Sequence, residues 1–482
     1  MYTRIDVVHD AEVRATKFAE ADRERYRSFM EAGEHHADKL GLIVGGAAAT
    51  RLLLGDPADE SAPPPTTLDS YYYEFYSGTA PADARALGKI MYQLDPDGLG
   101  HYTTVLTKVT NYLLTVDVDG RTLFAITALP SHRGLNTADV VMPSYRPAQF
   151  ARDSNGVPLQ LACTGPEIQL MSLYAALSNP AEASAWTQHM RAEQKLRAIF
   201  VREIRVKIAE AVSQVRGGAS ASTAKLVTLL RDRYATGPGR VVIGPVAVAL
   251  MTGVPLKSDA RLQVIAVSTL DSEARDIAAI AKTAGVEVQW TINNPNIPTD
   301  PRLRRMTVSA IAAGRREPIL DVYNTGAHEV VPYVLVNDVV TGGRNRPRTR
   351  DRSRGHKRDR SQSGERAPSG DLKLGTPFVL LRFRLADMWT MQVLMRMKVV
   401  SANYANSVLL DMLADYNQLV SLYESLVATA EHGGSGAAST LFPLGAYVGR
   451  LEHAQLALKR AAQKNPRTKY FSPPYMPAAD KN

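Results

Sequence analysis

The sequence predicts an α+β protein built from two copies of one unit, and three observations carry that expectation. "GLIVGGAAATRLLLG" (41–55) and "RVVIGPVAVALMTG" (240–253) both read as an apolar strand, a glycine turn and a helix of small residues. "YYYEFYSGTAPADARALGKI" (71–90) lies on "ARLQVIAVSTLDSEARDIAAI" (260–280), with "ARALGKI" over "ARDIAAI", as strand, Ser/Thr turn and helix. "VLTKVTNYLLTVDVDGRTLFAITALP" (105–130) alternates as two strands around an Asp119-Gly120 turn. Residue by residue, Val44-Gly45-Gly46 falls on Ile243-Gly244-Pro245.

The elements follow in order along the chain. Residues 1–40 are charged, with apolar positions at helical spacing, and predict an N-terminal helix. The first copy occupies 41–160. Within it a proline-rich loop spans 55–70, a strand with aromatic bulk spans 71–77, and a helix is entered through Thr79 and Pro81. Residues 161–222 predict a helical linker, with Leu170, Leu173, Tyr174 and Leu177 on one apolar face, closed by "RGGASAS" (216–222). The second copy occupies 223–340, an arginine-rich insertion 341–372, and a helical part 373–482 completes the second copy.

At 482 residues and 45% hydrophobic composition the chain has material for two to four domains. A single cysteine, Cys163, excludes an intramolecular disulfide and fits a reducing compartment. The charged N-terminus does not read as a signal peptide, and the uncharged run Val241–Leu256 is too short and broken to span a bilayer, so no membrane association is expected. The net charge of +9 is concentrated. "RNRPRTRDRSRGHKRDRSQSGER" (344–366) holds nine Arg and one Lys against two Asp and one Glu, a net of +7, leaving +2 for all the rest. That composition predicts a disordered arm. Arg348, Arg350, Arg352, Arg354, Lys357 and Arg358 are its candidate RNA contacts, against a solvated loop or a nuclear-import signal as the alternatives. Lys459, Arg460 and Lys464, near Tyr470 and Phe471, form a second basic and aromatic edge. Ten histidines without ligand spacing predict no zinc site.

The Gly45-Gly46 turn is a phosphate-holding candidate. Glycine admits close approach, and free amides at a helix start face negative charge. In nucleotidyltransferases such a turn precedes a strand carrying carboxylates at i and i+2, which share a face. With a third acid from a neighbouring strand they hold two magnesium ions that activate a 3′-hydroxyl and steady pyrophosphate. Here that strand offers Glu74 at i+2 but Tyr72 at i. Asp117 and Asp119 are the candidates for the third acid, although Asp119 is equally well used in making its turn. Ser77, beyond the strand, is a further candidate for contact with nucleotide. The matching strand of the second copy, "RLQVIAV", carries no acid.

Taken together, "VGGAAATRLLLG", "YYYEFYSGTAPADARALGKIMYQ", "ACTGPEIQLMSLYAALSNPAEASAW", "LLRFRLADMWTMQVL" and "FPLGAYVGRLEHAQLALKRA…YFSPPY" resemble the poly(A) polymerase catalytic subunits of large nucleocytoplasmic DNA viruses, the poxvirus, asfarvirus and amoebal giant-virus enzymes. The resemblance implies duplicated nucleotidyltransferase-like domains of the polymerase-beta type, the second degenerate. It implies template-independent addition of AMP from ATP to RNA 3′ ends with Mg²⁺ or Mn²⁺, in viral mRNA polyadenylation. Gly45, Gly46 and Ser77 would then meet nucleotide, and Glu74 with Asp117 would hold metal. Partners would be RNA and a homodimer mate or processivity subunit. The place of action would be the viral factory in host cytoplasm or the virion, with the arginine-rich arm offering nuclear entry. An active member is expected to show Asp-x-Asp, and Tyr72-x-Glu74 departs from it. The alternative is a catalytically inactive paralogue that binds RNA or an active subunit.

Overall fold

The computed structural model of the protein describes residues 26–54, 73–94, 109–110, 113–118, 121–129, 151–152, 158–159, 161–179, 186–208, 221–254, 261–295, 297–298, 300, 303–312, 314–325, 330–336, 372–431, 440–441 and 447–449. The chain divides into two compact units, one of residues 1–214, 294–302 and 385–412, the other of 215–293, 303–384 and 413–482.

In the first unit, helix α1 (Arg27–Leu40) leads into β1 (Ile43–Gly45), α2 (Gly46–Leu54), β2 (Tyr73–Ser77) and α3 (Ala80–Gln93). Strands β3 (Val109–Thr110), β4 (Leu113–Val118) and β5 (Arg121–Ala128) follow, then β6 (Ala151–Arg152), β7 (Pro158–Leu159) and β8 (Ala162–Cys163). Helices α4 (Pro166–Ser178) and α5 (Trp186–Ile208) come next. Six strands form one sheet in the order β3-β4-β5-β2-β1-β8, and β6 pairs with β7 apart from it. The aromatic run of β2 alternates as the sequence pattern requires. Tyr73 and Phe75 stack on Phe124 of β5 with centroids 6.3 and 5.9 Å away, while Glu74 points to the opposite face.

The second unit runs α6 (Ala221–Leu229), a π-helical turn Leu230–Tyr234, β9 (Arg240–Ile243), α7 (Gly244–Thr252), β10 (Leu262–Ala266) and α8 (Leu270–Ala284). It continues through β11 (Glu287–Asn293), β12 (Arg304–Ala312), β13 (Arg315–Asn324), β14 (Val330–Leu335) and β15 (Lys373–Gly375). Helices α9 (Pro377–Arg396) and α10 (Ala402–Glu431) and strand β16 (Tyr447–Gly449) end the described chain, with residues 385–412 of these helices assigned to the first unit. The sheet order is β11-β12-β13-β10-β9-β15-β14-β16.

The duplication is written in the strand pairings. β1 runs antiparallel to β2 and parallel to β8, as β9 runs antiparallel to β10 and parallel to β15. β2 runs parallel to β5 as β10 does to β13, and the hairpins β4–β5 and β12–β13 take the same place. β3 and β11 add the same antiparallel edge. The fold is a doubled α+β unit.

The sheets correct the sequence reading at three points. Gly45 pairs with Glu74 as Ile243 pairs with Gln263, so Gly46 matches Gly244 and Ala47 matches Pro245, one residue away from the alignment made on sequence. The turn after β10 (267–269) is one residue longer than the turn after β2 (78–79). Residues 161–222 are not simply a linker, because β8 joins the first sheet beside β1 and α4 starts directly after it. The segment 373–482 does not belong wholly to the second copy, since 385–412 falls in the first unit. The arginine-rich arm and the tail, with Arg348, Arg350, Arg352, Arg354, Lys357, Arg358, Lys459, Arg460 and Lys464, lie outside the described residues, as do Tyr72 and Asp119. No helix among the described residues is long and apolar enough to cross a membrane.

One buried group makes the first unit sensitive to pH. Neither ring nitrogen of His189, on α5, finds a hydrogen-bond partner among the described residues, and burial lowers its pKa to about 4. His36 is lowered in the same direction, by burial acting against the pull of Asp83. Between about pH 6.5 and 4 the unfolded chain therefore binds a proton at His189 that the folded chain refuses. Stability is expected to fall as pH drops through that window, by up to about 3 kcal/mol. Urea midpoints at pH 7 and pH 5 measure it, and His189→Phe should remove most of the slope. A variant with the native slope would show that the acid loss arises elsewhere.

Candidate functional site

The glycine turn of the first unit is set by two close approaches. Gly46 opens α2 at φ +59°, a backbone state that disfavours any Cβ. A Cβ there would lie 2.7 to 2.9 Å from the carboxyl atoms of Glu74, so the carboxylate rests directly on the glycine. Gly45 is covered by the ring of Tyr76, which occupies the space a side chain would need. Behind the turn, Thr50 Oγ1 donates to a carbonyl or amide oxygen on either side, Gly46 O and Gln169 Oε1, both at 3.1 Å. Gln169 Nε2 in turn donates to Thr164 Oγ1, and all three side chains are buried. Gln169 thus ties α2 to the start of α4. Glu167 lies with its carboxylate 3.1 Å from the position a Cβ on Gly165 would take, at the start of its own helix. Cys163, on β8, has its thiol pushed up to about 12 by burial and is not a nucleophile.

Registered neighbours across a sheet share a face, so the row that carries Glu74 can be read directly. It runs Thr115, Ala125, Glu74, Gly45 across β4, β5, β2 and β1. The place beside Glu74, where a third acid would stand, holds alanine. Asp117 lies two strands from Glu74, about 10 Å away across the sheet at the usual strand spacing and further along it. Asp117 is buried and accepts a hydrogen bond from Thr122 Oγ1 at 2.7 Å. Among the described residues no group of three His, Cys, Asp or Glu side chains is placed to hold a metal ion. The donors described around Glu74 do not by themselves fit a two-metal centre, which needs several carboxylates converging on ions about 4 Å apart.

Ser77 is also committed to structure. Its hydroxyl donates to Asp83 Oδ2 and accepts from Thr79 N at 2.8 Å, while Thr79 Oγ1 donates to the same carboxylate at 3.0 Å. These bonds close the turn into α3 and bury Ser77 and Asp83. Nothing of Ser77 is left facing a nucleotide.

The second unit repeats the arrangement with different residue types. Gly244 opens α7 at φ +66°, and the amide of Gln263 lies on it as Glu74 lies on Gly46. The row reads Thr307, Asp321, Gln263, Ile243. Asp321, which the sequence reading missed, stands where the first unit has Ala125. It accepts from Thr307 Oγ1 at 2.6 Å, and Arg261 Nη1 approaches to 3.8 Å. Each row therefore keeps one acid, in different places. Aligning "EPILDVYN" with "RTLFAITA" by strand register rather than by residue likeness would have found it.

No family model matches the chain. It is 27% identical over 403 residues to an uncharacterized protein of African swine fever virus, in an isolate from a South African tick and one from a Namibian warthog. In each case the match covers 82% of this chain and 82% of the relative. The protein of a Malawian tick isolate is 26% identical over 401 residues with the same coverage. Among solved structures the chain is similar to the Megavirus polyadenylate synthase, at 14% identity and a TM-score of 0.49, covering 88% of this chain and 74% of that one. In sequence the chain is thus similar to proteins of African swine fever virus.

Proposed function

We propose that this chain is a doubled nucleotidyltransferase-like protein, of the viral poly(A) polymerase type, that engages RNA or an active polymerase subunit and does not itself transfer AMP. The observation that carries the reading is the equivalence of Glu74 and Gln263. The two side chains have the same shape and rest on equivalent glycines, one charged and one neutral. A position that accepts either is doing packing work at a helix start, where a charge is helpful but not required. With Ala125 beside it, Glu74 has no second carboxylate in its row to share a cation. RNA is the partner favoured by charge, since the arm of 344–366 alone carries a net of +7.

The test is direct. The full chain, equimolar with an oligo(A) primer and supplied with ATP and Mn²⁺, should retard the primer in a gel and leave its length unchanged. Extension that Glu74→Gln abolishes would overturn the inactive reading and restore Glu74 as a metal ligand. Failure to bind the primer at any salt concentration would remove RNA as the partner.

A further inference from the structure

Helix α5 presents a basic stripe that neither the glycine turn nor the arginine-rich arm accounts for. Its inner face is apolar at helical spacing: Ala192, Leu196, Phe200, Ile204 and Ile208 are buried. Its outer face carries Arg191, Lys195, Arg202 and Arg205, all exposed. At 100° per residue these four lie within an arc of about 80°, along about 21 Å of helix. The two acids of α5 are withdrawn from that face. Glu193 is fully buried, accepting from Tyr174 Oη at 2.7 Å and pairing with Arg197 at 2.9 Å, and Glu203 is half-buried.

A merely solvated helix interleaves the two signs, as α8 does with Asp271, Arg275, Asp276 and Lys282 exposed along it. The chain outside 344–366 has a net charge of only +2, so four cations without an exposed acid on one helix do not follow from composition. A protein partner would want an apolar centre within the face. The stripe has Val206 at its end, 75% exposed, and only Ala198 between the cations. A linear row of cations matches a linear polyanion.

We propose that the outer face of α5 is a binding surface for the phosphate backbone of single-stranded RNA. This rests on the RNA-binding reading above and adds the place where the strand lies. The contact is electrostatic and indifferent to sequence, and it releases counterions from the strand as it forms.

The experiment uses the full chain and a fluorescein-labelled 20-nucleotide single-stranded RNA, with anisotropy titrations between 50 and 200 mM KCl. One variant carries Arg191→Gln, Lys195→Gln, Arg202→Gln and Arg205→Gln. A control carries Lys225→Gln, Arg233→Gln, Arg275→Gln and Lys282→Gln, removing the same charge from exposed sites elsewhere. The α5 variant should lower the slope of log K against log salt by about three, and the control should leave it near the native value. Equal losses in both variants, or none in the first, overturn the α5 surface while native binding keeps the RNA reading intact. No binding by the native chain removes both. Competition by polyglutamate as strong as by unlabelled RNA would make the face a dock for acidic protein and likewise overturn the proposal. All eight positions are exposed, and unchanged melting curves confirm that each variant is folded.

Discussion

Arg240→Ala should destabilise the second unit by about 3–5 kcal/mol, the cost of leaving a buried charge without its partner. Arg240 sits at the start of β9 with its side chain 10% exposed, and Glu273, on α8, is 0% exposed. Arg240 Nε donates to Glu273 Oε2 at 2.8 Å, Nη1 donates to Tyr234 O at 3.1 Å, and Nη2 donates to Asp276 Oδ2. The guanidinium also lies 4.1 Å from the centroid of the Tyr234 ring. The Tyr234 and Ser268 hydroxyls donate to Glu273, and burial together with that carboxylate pushes the Tyr234 phenol well above its ordinary pKa. One arginine thus ties the π-helical turn, a central strand and the first turn of α8. Removing it leaves a carboxylate in the interior with neutral donors alone. Arg240→Met, which keeps much of the volume, separates lost charge from lost packing and should recover only the packing share. Urea denaturation gives both values. A loss below about 1 kcal/mol for Arg240→Ala would mean that the cluster behaves as a surface ion pair.

The second large effect is at the glycine turns. Gly46→Ala forces a Cβ into a left-handed backbone state, about 1–2 kcal/mol, and against the Glu74 carboxylate, for a total of about 2–3 kcal/mol. Gly244→Ala should cost more, because the Gln263 amide approaches that glycine more closely than Glu74 approaches Gly46. The two contributions separate in a double-mutant cycle. Glu74→Ala in the Gly46→Ala background should return the clash share and leave the backbone share. Glu74→Gln alone should stay within about 1 kcal/mol of native stability, since the second unit already uses glutamine at that place. Additive losses in the cycle would show that the carboxylate and the glycine do not touch, and the structural account of Glu74 would go with that contact.

Much of the architecture was legible because it rests on local pattern. The apolar strand ending in glycine, the alternation in "YYYEFYS" and the helix phases of 80–93 and 270–284 each state their own geometry, and their recurrence states the duplication. Register was not legible. Gly45, Gly46 and Gly244 look alike on paper, and only the pairing of Gly45 with Glu74 and of Ile243 with Gln263 shows which glycine answers which. The same blindness hid Asp321, which lies far from Gln263 in sequence and directly beside it in the sheet. It also left Asp117 a candidate partner of Glu74, although two strand spacings part them.

The amino-acid sequence by itself determined that the chain is a doubled α+β protein, that its positive charge is gathered in one arm, and that Tyr72 breaks the expected pair of acids. Periodicity, composition and residue identity are local quantities, and a linear text carries them whole. The tertiary structure decided which side chains meet: Glu74 on Gly46, Ser77 under Asp83, alanine where a third acid would stand, and four cations on one face of α5. Those are distances between segments remote in the chain, set by strand register and helix packing.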